Sequence, residues 1–251
     1  MLKTRILPTL LYKNFGLVKG VGFDSSRPIG SLMQAVKVFN MREVDELVFF
    51  DIAATLENRG PDFELVDEFA DECFMPLTVG GGIRDIEDVR RLLLVGADKV
   101  CINTAAVETP DLIGKIAKRF GSQSLVVSID VEKTSGGHAV RIRSGTRRVD
   151  MDPVELARMA AGEGAGEILL TSVDRDGTMQ GYDIDITKRV AEAVDIAVIA
   201  SGGAGEYAHM FEAIQEGGAS AIAAAAIFFF TEKTPREAKM YLRSRGVPVR
   251  L

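Results

Sequence analysis

Cysteine is scarce in this chain of 251 residues, and its two copies, Cys73 and Cys101, stand far apart without metal-ligand spacing. That scarcity excludes a disulfide framework and a zinc cluster, and predicts buried thiols in a reducing compartment. Long apolar runs are missing too. No stretch approaches the roughly 20 residues of a membrane span, and the first apolar run, in MLKTRILPTLLYKN, is too short and too soon broken for a signal peptide. A cytoplasmic protein without membrane contact is the expectation. Positive charge is in deficit, with a net charge of −6, so no broad basic face invites nucleic acid and an anionic ligand must find local positive potential. Histidine is as rare as cysteine. His138 falls in GGHAVRIRSGTRRVDMD, which reads as a polar hairpin with a solvated charged face, or as charge poised for an anion above a site, and His138 is expected at the surface. His209 is expected to be exposed just after a glycine loop. No metal and no cofactor is expected.

What the chain does hold is a core. It is 47% hydrophobic with 26% charged residues, the balance of a globular protein. Eight short apolar runs, RILPTLL, DELVFFDI, PLTV, DKVCIN, LVVSID, GEILLTSV, AVIAS and ASAIAAA, alternate with helical patterns, as βαβ units do. Asp152-Pro153 and Thr234-Pro235 each set a cap residue before a first-turn proline, with Glu155 and Glu237 three residues after the caps, and Thr109-Pro110 repeats the first half of the device. After Asp85, the spacing of Ile86, Val89 and Leu93 predicts one buried helix face. Length and element count together predict a (β/α)8 barrel, a TIM barrel, as one domain over residues 1–251.

An internal repeat supports the same fold. ILPTLLYKN (6–14) lies over VVSIDVEK (126–133) at an offset of 119, pairing Thr9 with Ser128 and leaving Leu11 opposite Asp130. VGGGIRD matches ASGGAGE at an offset of 121, so that Gly81 and Gly82 fall on Gly202 and Gly203. Half-barrels of about 1–120 and 121–251 explain both offsets. Each glycine cluster follows a strand and opens a helix, where backbone N–H groups can approach an anion; the bland alternative is a tight turn without ligand. Two copies favour a ligand with two phosphates across the mouth.

Strand alternation gives the interior. If Asp130 points inward, so do Arg5, Leu7, Thr9 and Leu11 on strand 1, Glu46, Val48 and Phe50 on strand 2, Lys99, Cys101 and Asn103 on strand 4, and Glu167, Leu169 and Thr171 on strand 6. Arg5, Glu46, Lys99 and Glu167 then form a layer of two positive and two negative charges at the N-terminal floor. Such charges must pair to be tolerated inside. The layer reads either as a neutral plug or as a gate. Catalysis belongs at the opposite, C-terminal end.

Over nearly its whole length the chain resembles the cyclase subunit of imidazole glycerol phosphate synthase, the HisF family. The stretches that carry the resemblance are LVKG (17–20), DELVFFDI, TVGGGIRD, GADKVCINTAAVE, GSQSLVVSID, EGAGEILLTSVDRDGT and IASGGAG. The resemblance implies phosphate sites at Gly81, Gly82, Asn103 and Thr104 in one half and at Gly202, Gly203, Ala224 and Ala225 in the other. It implies further active-site positions, catalytic at Thr171 and Asp176 and substrate-binding at Lys19 and Ser201. It identifies Arg5, Glu46, Lys99 and Glu167 with a gate on an ammonia passage, and Asp45 and Asp98 with the face where a glutaminase subunit docks, at the N-terminal end of the barrel. Family chemistry uses that ammonia to cyclise and cleave a phosphorylated ribulosyl intermediate, with one aspartate on strand 1 and one on strand 5. The second is Asp130; the first is replaced by Leu11. Ala225 stands where a phosphate-contacting serine is usual, Phe228 where histidine is common, and Tyr12 and Phe15 alter the first loop.

Losing one acid–base partner removes a contribution of about 10²- to 10⁴-fold. The resemblance therefore points first to an ammonia-handling paralogue serving amidation in surface-polysaccharide sugar biosynthesis, together with a glutaminase and a separate synthetase. A working histidine-pathway cyclase, with Asp176 or Asp174 substituting, stays open, as do a sugar-phosphate isomerase and a non-catalytic binding barrel.

Overall fold

The computed structural model describes residues 3–14 and 16–251; Phe15 lies outside them. The chain runs β1 (Arg5–Lys13), β2 (Gly16–Val21), β3 (Asp24–Gly30), α1 (Leu32–Met41), β4 (Leu47–Asp51), α2 (Phe63–Ala70), β5 (Leu77–Gly80), α3 (Ile86–Leu94), β6 (Lys99–Ile102), α4 (Thr104–Glu108) and α5 (Asp111–Phe120). It continues through β7 (Leu125–Thr134), β8 (Gly137–Ile142), β9 (Arg147–Val149), α6 (Pro153–Gly162), β10 (Glu167–Ser172), α7 (Ile184–Ala191), β11 (Ala197–Ser201), α8 (Tyr207–Gln215), β12 (Ala221–Ala224), α9 (Ala226–Phe230) and α10 (Pro235–Ser244). Strands β1, β4, β5, β6, β7, β10, β11 and β12 pair in that order, all parallel, and β12 closes on β1. This is a (β/α)8 barrel, and each of the eight apolar runs supplies one of its strands.

Two antiparallel hairpins depart from the regular plan. After β1 comes β2–β3, and after β7 comes the β8–β9 insertion that the polar sequence predicts. Each follows the first strand of its half. Tyr12 is part of β1 and not of a loop: its ring packs on Phe49 with centroids 5.8 Å apart.

Helix starts follow local chemistry. Asp85 accepts from the N–H groups of Glu87 and Asp88, Asp152 from those of Val154 and Glu155, and Thr234 with Glu237 closes a full capping box; each such cap is worth about 1 kcal/mol. Thr109 differs, because α5 begins after Pro110 and has no side-chain cap. On α3 the deepest residues are Val89 and Leu92, with Leu93 only partly buried.

Alternation along the strands divides the core in two. Residues such as Ile6, Leu10, Phe49, Val127 and Ile168 face the helices, while Leu7, Val48, Cys101, Val126, Leu169, Ile199 and Ala221 pack inside the barrel. The inward set is the one strand parity predicts. Packing two apolar shells on either side of one sheet is what makes these strands read as continuous hydrophobic runs.

Candidate active site and barrel floor

At the N-terminal end the four inward charges make a closed ring. Arg5 reaches Glu46 at 2.7 Å and Glu167 at 2.9 Å, and Lys99 reaches Glu46 at 2.9 Å and Glu167 at 3.2 Å. Thr78 donates its hydroxyl to the other oxygen of Glu46 at 2.7 Å. Burial pulls the Arg5 guanidinium down, but the combined effect of Glu167 and Glu46 leaves it raised. The ring is neutral in sum, which is how it can sit under an apolar throat. Beside it, Asp45 is buried on the helix side, against α10: its carboxylate takes Lys239 at 2.7 Å and the N–H of Ile6 at 2.9 Å. Asp98 is exposed and accepts from Leu77 N.

At the C-terminal end the barrel opens into a cavity of about 290 Å³. Thr9, Leu11, Asp130, Thr171 and Ser201 line it from the barrel strands, Asn103 and Thr104 from the start of α4, Lys19 from β2 and Asp176 from the loop after β10. Lys19 gets there because β2–β3 folds over the rim: Gly22 N donates to Asp176 O at 2.9 Å, and Gly177 packs on Gly20 so closely that no Cβ would fit. Burial lowers Lys19 to about 8, with Asp176 opposing the shift. Burial raises Asp176, with Lys19 pulling it back. Asp130 is pushed up to about 7, chiefly by burial, with Ser128 lowering and Asp176 raising it. Leu11, beside Phe50 in register, brings no proton donor to this group. Asp174 is exposed and accepts from Lys133 N, so of the two candidate substitutes only Asp176 lines the cavity.

The glycine loops are matched in detail. Gly81 and Gly202 have φ of 113° and 88°, and a Cβ on them would strike the carbonyls of Asp51 and Ser172 respectively. Gly82 and Gly203, at 74° and 108°, would strike Arg59 and Gly181. Only glycine permits this approach, and all four glycines line the cavity. Asn103 donates to Ser128 O, and Thr104 accepts from Arg143 N. Ala224 and Ala225 line the cavity without any side-chain hydrogen-bonding group.

Several sequence expectations change. His138 is not on the surface: its side chain is 4% exposed and holds Asp183, the cap of α7, at 3.0 Å. His209 is half-buried, and its Nδ1 accepts from the N–H groups of Gly205 and Glu206 as part of a capping box. Three of the four arginines of RIRSGTRR form ion pairs, Arg141 with Glu132 and both Arg143 and Arg147 with Glu108, while Ser144 ties the hairpin tip to Ile52 O. Phe228 is buried and Phe229 meets Phe39 edge-on, but Phe230 is exposed under Arg27. One rim residue has no counterpart in the sequence reading. Asp51 accepts from Ala53 N and Ala54 N and binds Arg59 at 2.6 Å; the repeat that pairs it with Ser172 could have marked it. Among the described residues no cluster is arranged to hold a metal ion, and no helix is long and apolar enough to cross a membrane.

With this geometry in place, comparison with known proteins becomes specific. Residues 5–234 match the family model described as "Histidine biosynthesis protein". The imidazole glycerol phosphate synthase subunit HisF of Chlorobaculum parvum is 49% identical over 251 residues, covering all of both chains. The chain belongs to the histidine biosynthesis protein family and, within it, to the HisF group.

Proposed function

We propose that this chain is the barrel subunit of a glutamine amidotransferase, taking ammonia from a glutaminase at its N-terminal face and passing it to the C-terminal mouth. The observation that carries the reading is an asymmetry. The ion ring of Arg5, Glu46, Lys99 and Glu167 is complete, while Leu11 occupies the cavity position opposite Asp130. Exposed Met41, Phe74 and Leu94, on segments leading into the N-terminal ends of strands, supply apolar surface for the glutaminase. Asp98 adds a charge there. The 49% identical relative is named as one subunit of imidazole glycerol phosphate synthase, which supports a separate partner subunit for this chain.

At the mouth, Gly82 and Gly203 suit a ligand bearing two phosphates, with Asn103 and Thr104 beside the first. Cyclase chemistry is impaired by Leu11, and ammonia leaves for another acceptor, such as a sugar held by a separate synthetase in surface-polysaccharide biosynthesis. Purified protein supplied with ammonium salt and the phosphorylated ribulosyl intermediate tests this. Turnover close to that of an aspartate-bearing HisF would overturn the conduit reading.

One observation favours histidine-pathway cyclisation instead. Asp176 and Asp130 are both raised, and both line the cavity with Lys19, so an acid–base pair survives without residue 11. Under that reading Asp176→Asn abolishes turnover in the same assay.

A further inference from the structure

The two glycine loops are braced from behind by matching segments, residues 60–62 in the first half and 181–183 in the second, which fall on each other at the same offset of 121. Each segment ends on the aspartate that caps the next helix: Asp62 accepts from Leu65 N and Asp183 from Ile186 N. Each also presses on a glycine loop. A Cβ on Gly82 would meet Arg59 and Gly60, and a Cβ on Gly203 would meet Gly181. Between glycine and aspartate the halves part. The first has Pro61, with no N–H and no side-chain donor, and the second has Tyr182.

In the second half, three consecutive residues reach three separate elements. Gly181 N donates to Gly203 O at 2.8 Å, the Tyr182 hydroxyl donates to Ala223 O at 3.0 Å, and Asp183 meets His138 of the β8–β9 hairpin at 3.0 Å. Tyr182 is 4% exposed, and burial pushes its phenol well up, so it stays a donor. Strands β11 and β12 last pair at Ala200 and Ile222. Ala223 is therefore the first residue of β12 beyond that ladder, where β11 has turned away into the loop of Gly202 and Gly203. Ala224 and Ala225 follow, and both line the cavity with Gly203.

What the second half lacks explains why a brace matters there. Asn103 and Ala225 are matched in place and shape: each precedes a five-residue helix, α4 or α9, with φ and ψ of −118° and −77° against −133° and −69°. Thr104 then matches Ala226. Asn103 ties its turn down by donating to Ser128 O, and Thr104 by accepting from Arg143 N. Alanine can do neither. A loop without such ties loses chain freedom when it closes on a ligand, which weakens binding.

We propose that Tyr182 is a positioning residue for the phosphate group bound in the second half. Its bond to Ala223 O, beside the contact of Gly181 with Gly203, holds the backbone of Ala224 and Ala225 at a fixed spacing from Gly203. The inference rests on the two-phosphate reading above and adds that the two ends are built differently, one through Asn103 and Thr104 and the other through a tyrosine that does not touch the ligand.

The isotope-labelled full chain, titrated with inorganic phosphate, reports each half separately through the amide NMR signals of Gly82 and Gly203. Both signals move in the wild type. Tyr182→Phe, which removes the hydroxyl alone, is expected to weaken binding read at Gly203 by about fivefold or more and to leave binding read at Gly82 within about twofold. Asn103→Ala does the reverse. A general loss of stability would move both glycines alike. The wild type gives a second reading that needs no variant to fold: with labelled tyrosine rings, the Tyr182 signal shifts with the affinity of Gly203 and not with that of Gly82. Unchanged affinity at Gly203 in Y182F, equal weakening at both glycines, or a Tyr182 ring signal unmoved by phosphate would each overturn the role of Tyr182 alone. Stillness of both glycine signals in the wild type would overturn the two-phosphate reading and this inference with it.

Discussion

Lys99 holds both carboxylate oxygens of Glu46, at 3.0 and 2.9 Å, while Arg5 takes one of the same oxygens from the other side. Glu46 is therefore doubly compensated, and the ring can lose one cation without stranding it.

Lys99→Met tests what that arrangement does. Breaking a buried pair outright costs about 3–5 kcal/mol, but Arg5 and Thr78 still hold Glu46, so a smaller loss is expected in urea unfolding. Work driven by glutamine through a glutaminase partner should fall, and work driven by added ammonium salt should not. Equal loss of both would count against a gate.

Leu11→Asp restores a carboxyl facing Asp130 across the mouth. Turnover of the phosphorylated ribulosyl intermediate with ammonium salt should rise by about 10²-fold or more. An unchanged rate would show that Leu11 is not the limiting defect.

Asp130 gives a pH signature of stability. Its folded value of about 7 lies above the unfolded value near 4. Between these values the folded chain binds the proton that the unfolded chain has lost, so this group's contribution falls as pH rises through the window and is flat beyond it. Asp130→Asn should gain stability over the wild type by roughly 4 kcal/mol at most at pH 8, with little of that gain at pH 4. A difference independent of pH, measured by urea unfolding, would contradict the burial of this carboxyl.

Gly203→Ala adds a Cβ where the backbone has φ of 108° and meets the Gly181 carbonyl. The strain should cost about 1–3 kcal/mol. Binding of inorganic phosphate, followed by phosphorus NMR, should weaken; unaltered binding would remove this loop from the anion site.

The barrel was legible because its signals are local and repeated. Each strand is a short apolar run, each major turn carries glycine or a cap, and the two halves state the pattern twice. The hydrogen-bonded hairpin after β1 was not legible. GLVKGV and DSSRPIG lack a clean alternation, and their pairing includes register shifts. His138 was misread for a related reason: its partner Asp183 lies 45 positions away, and polar neighbours say nothing about burial across that distance.

By itself, then, the order of residues determined the eight-stranded alternation, the inward parity of Arg5, Glu46, Lys99, Glu167 and Asp130, and the presence of leucine where an acid is expected. The parity follows from the two-residue period of a strand, and the expectation of an acid at position 11 from the resemblance to the HisF family; neither needs a third dimension. Only the folded chain decided that the four floor charges bond to one another, that Asp45 is buried against Lys239 of α10, that Lys19 is carried over the rim to Asp176, and that Thr9 keeps a hydroxyl without a partner among the described residues. Each of these depends on distances between segments far apart in the chain, which closure of the barrel sets and no local pattern encodes.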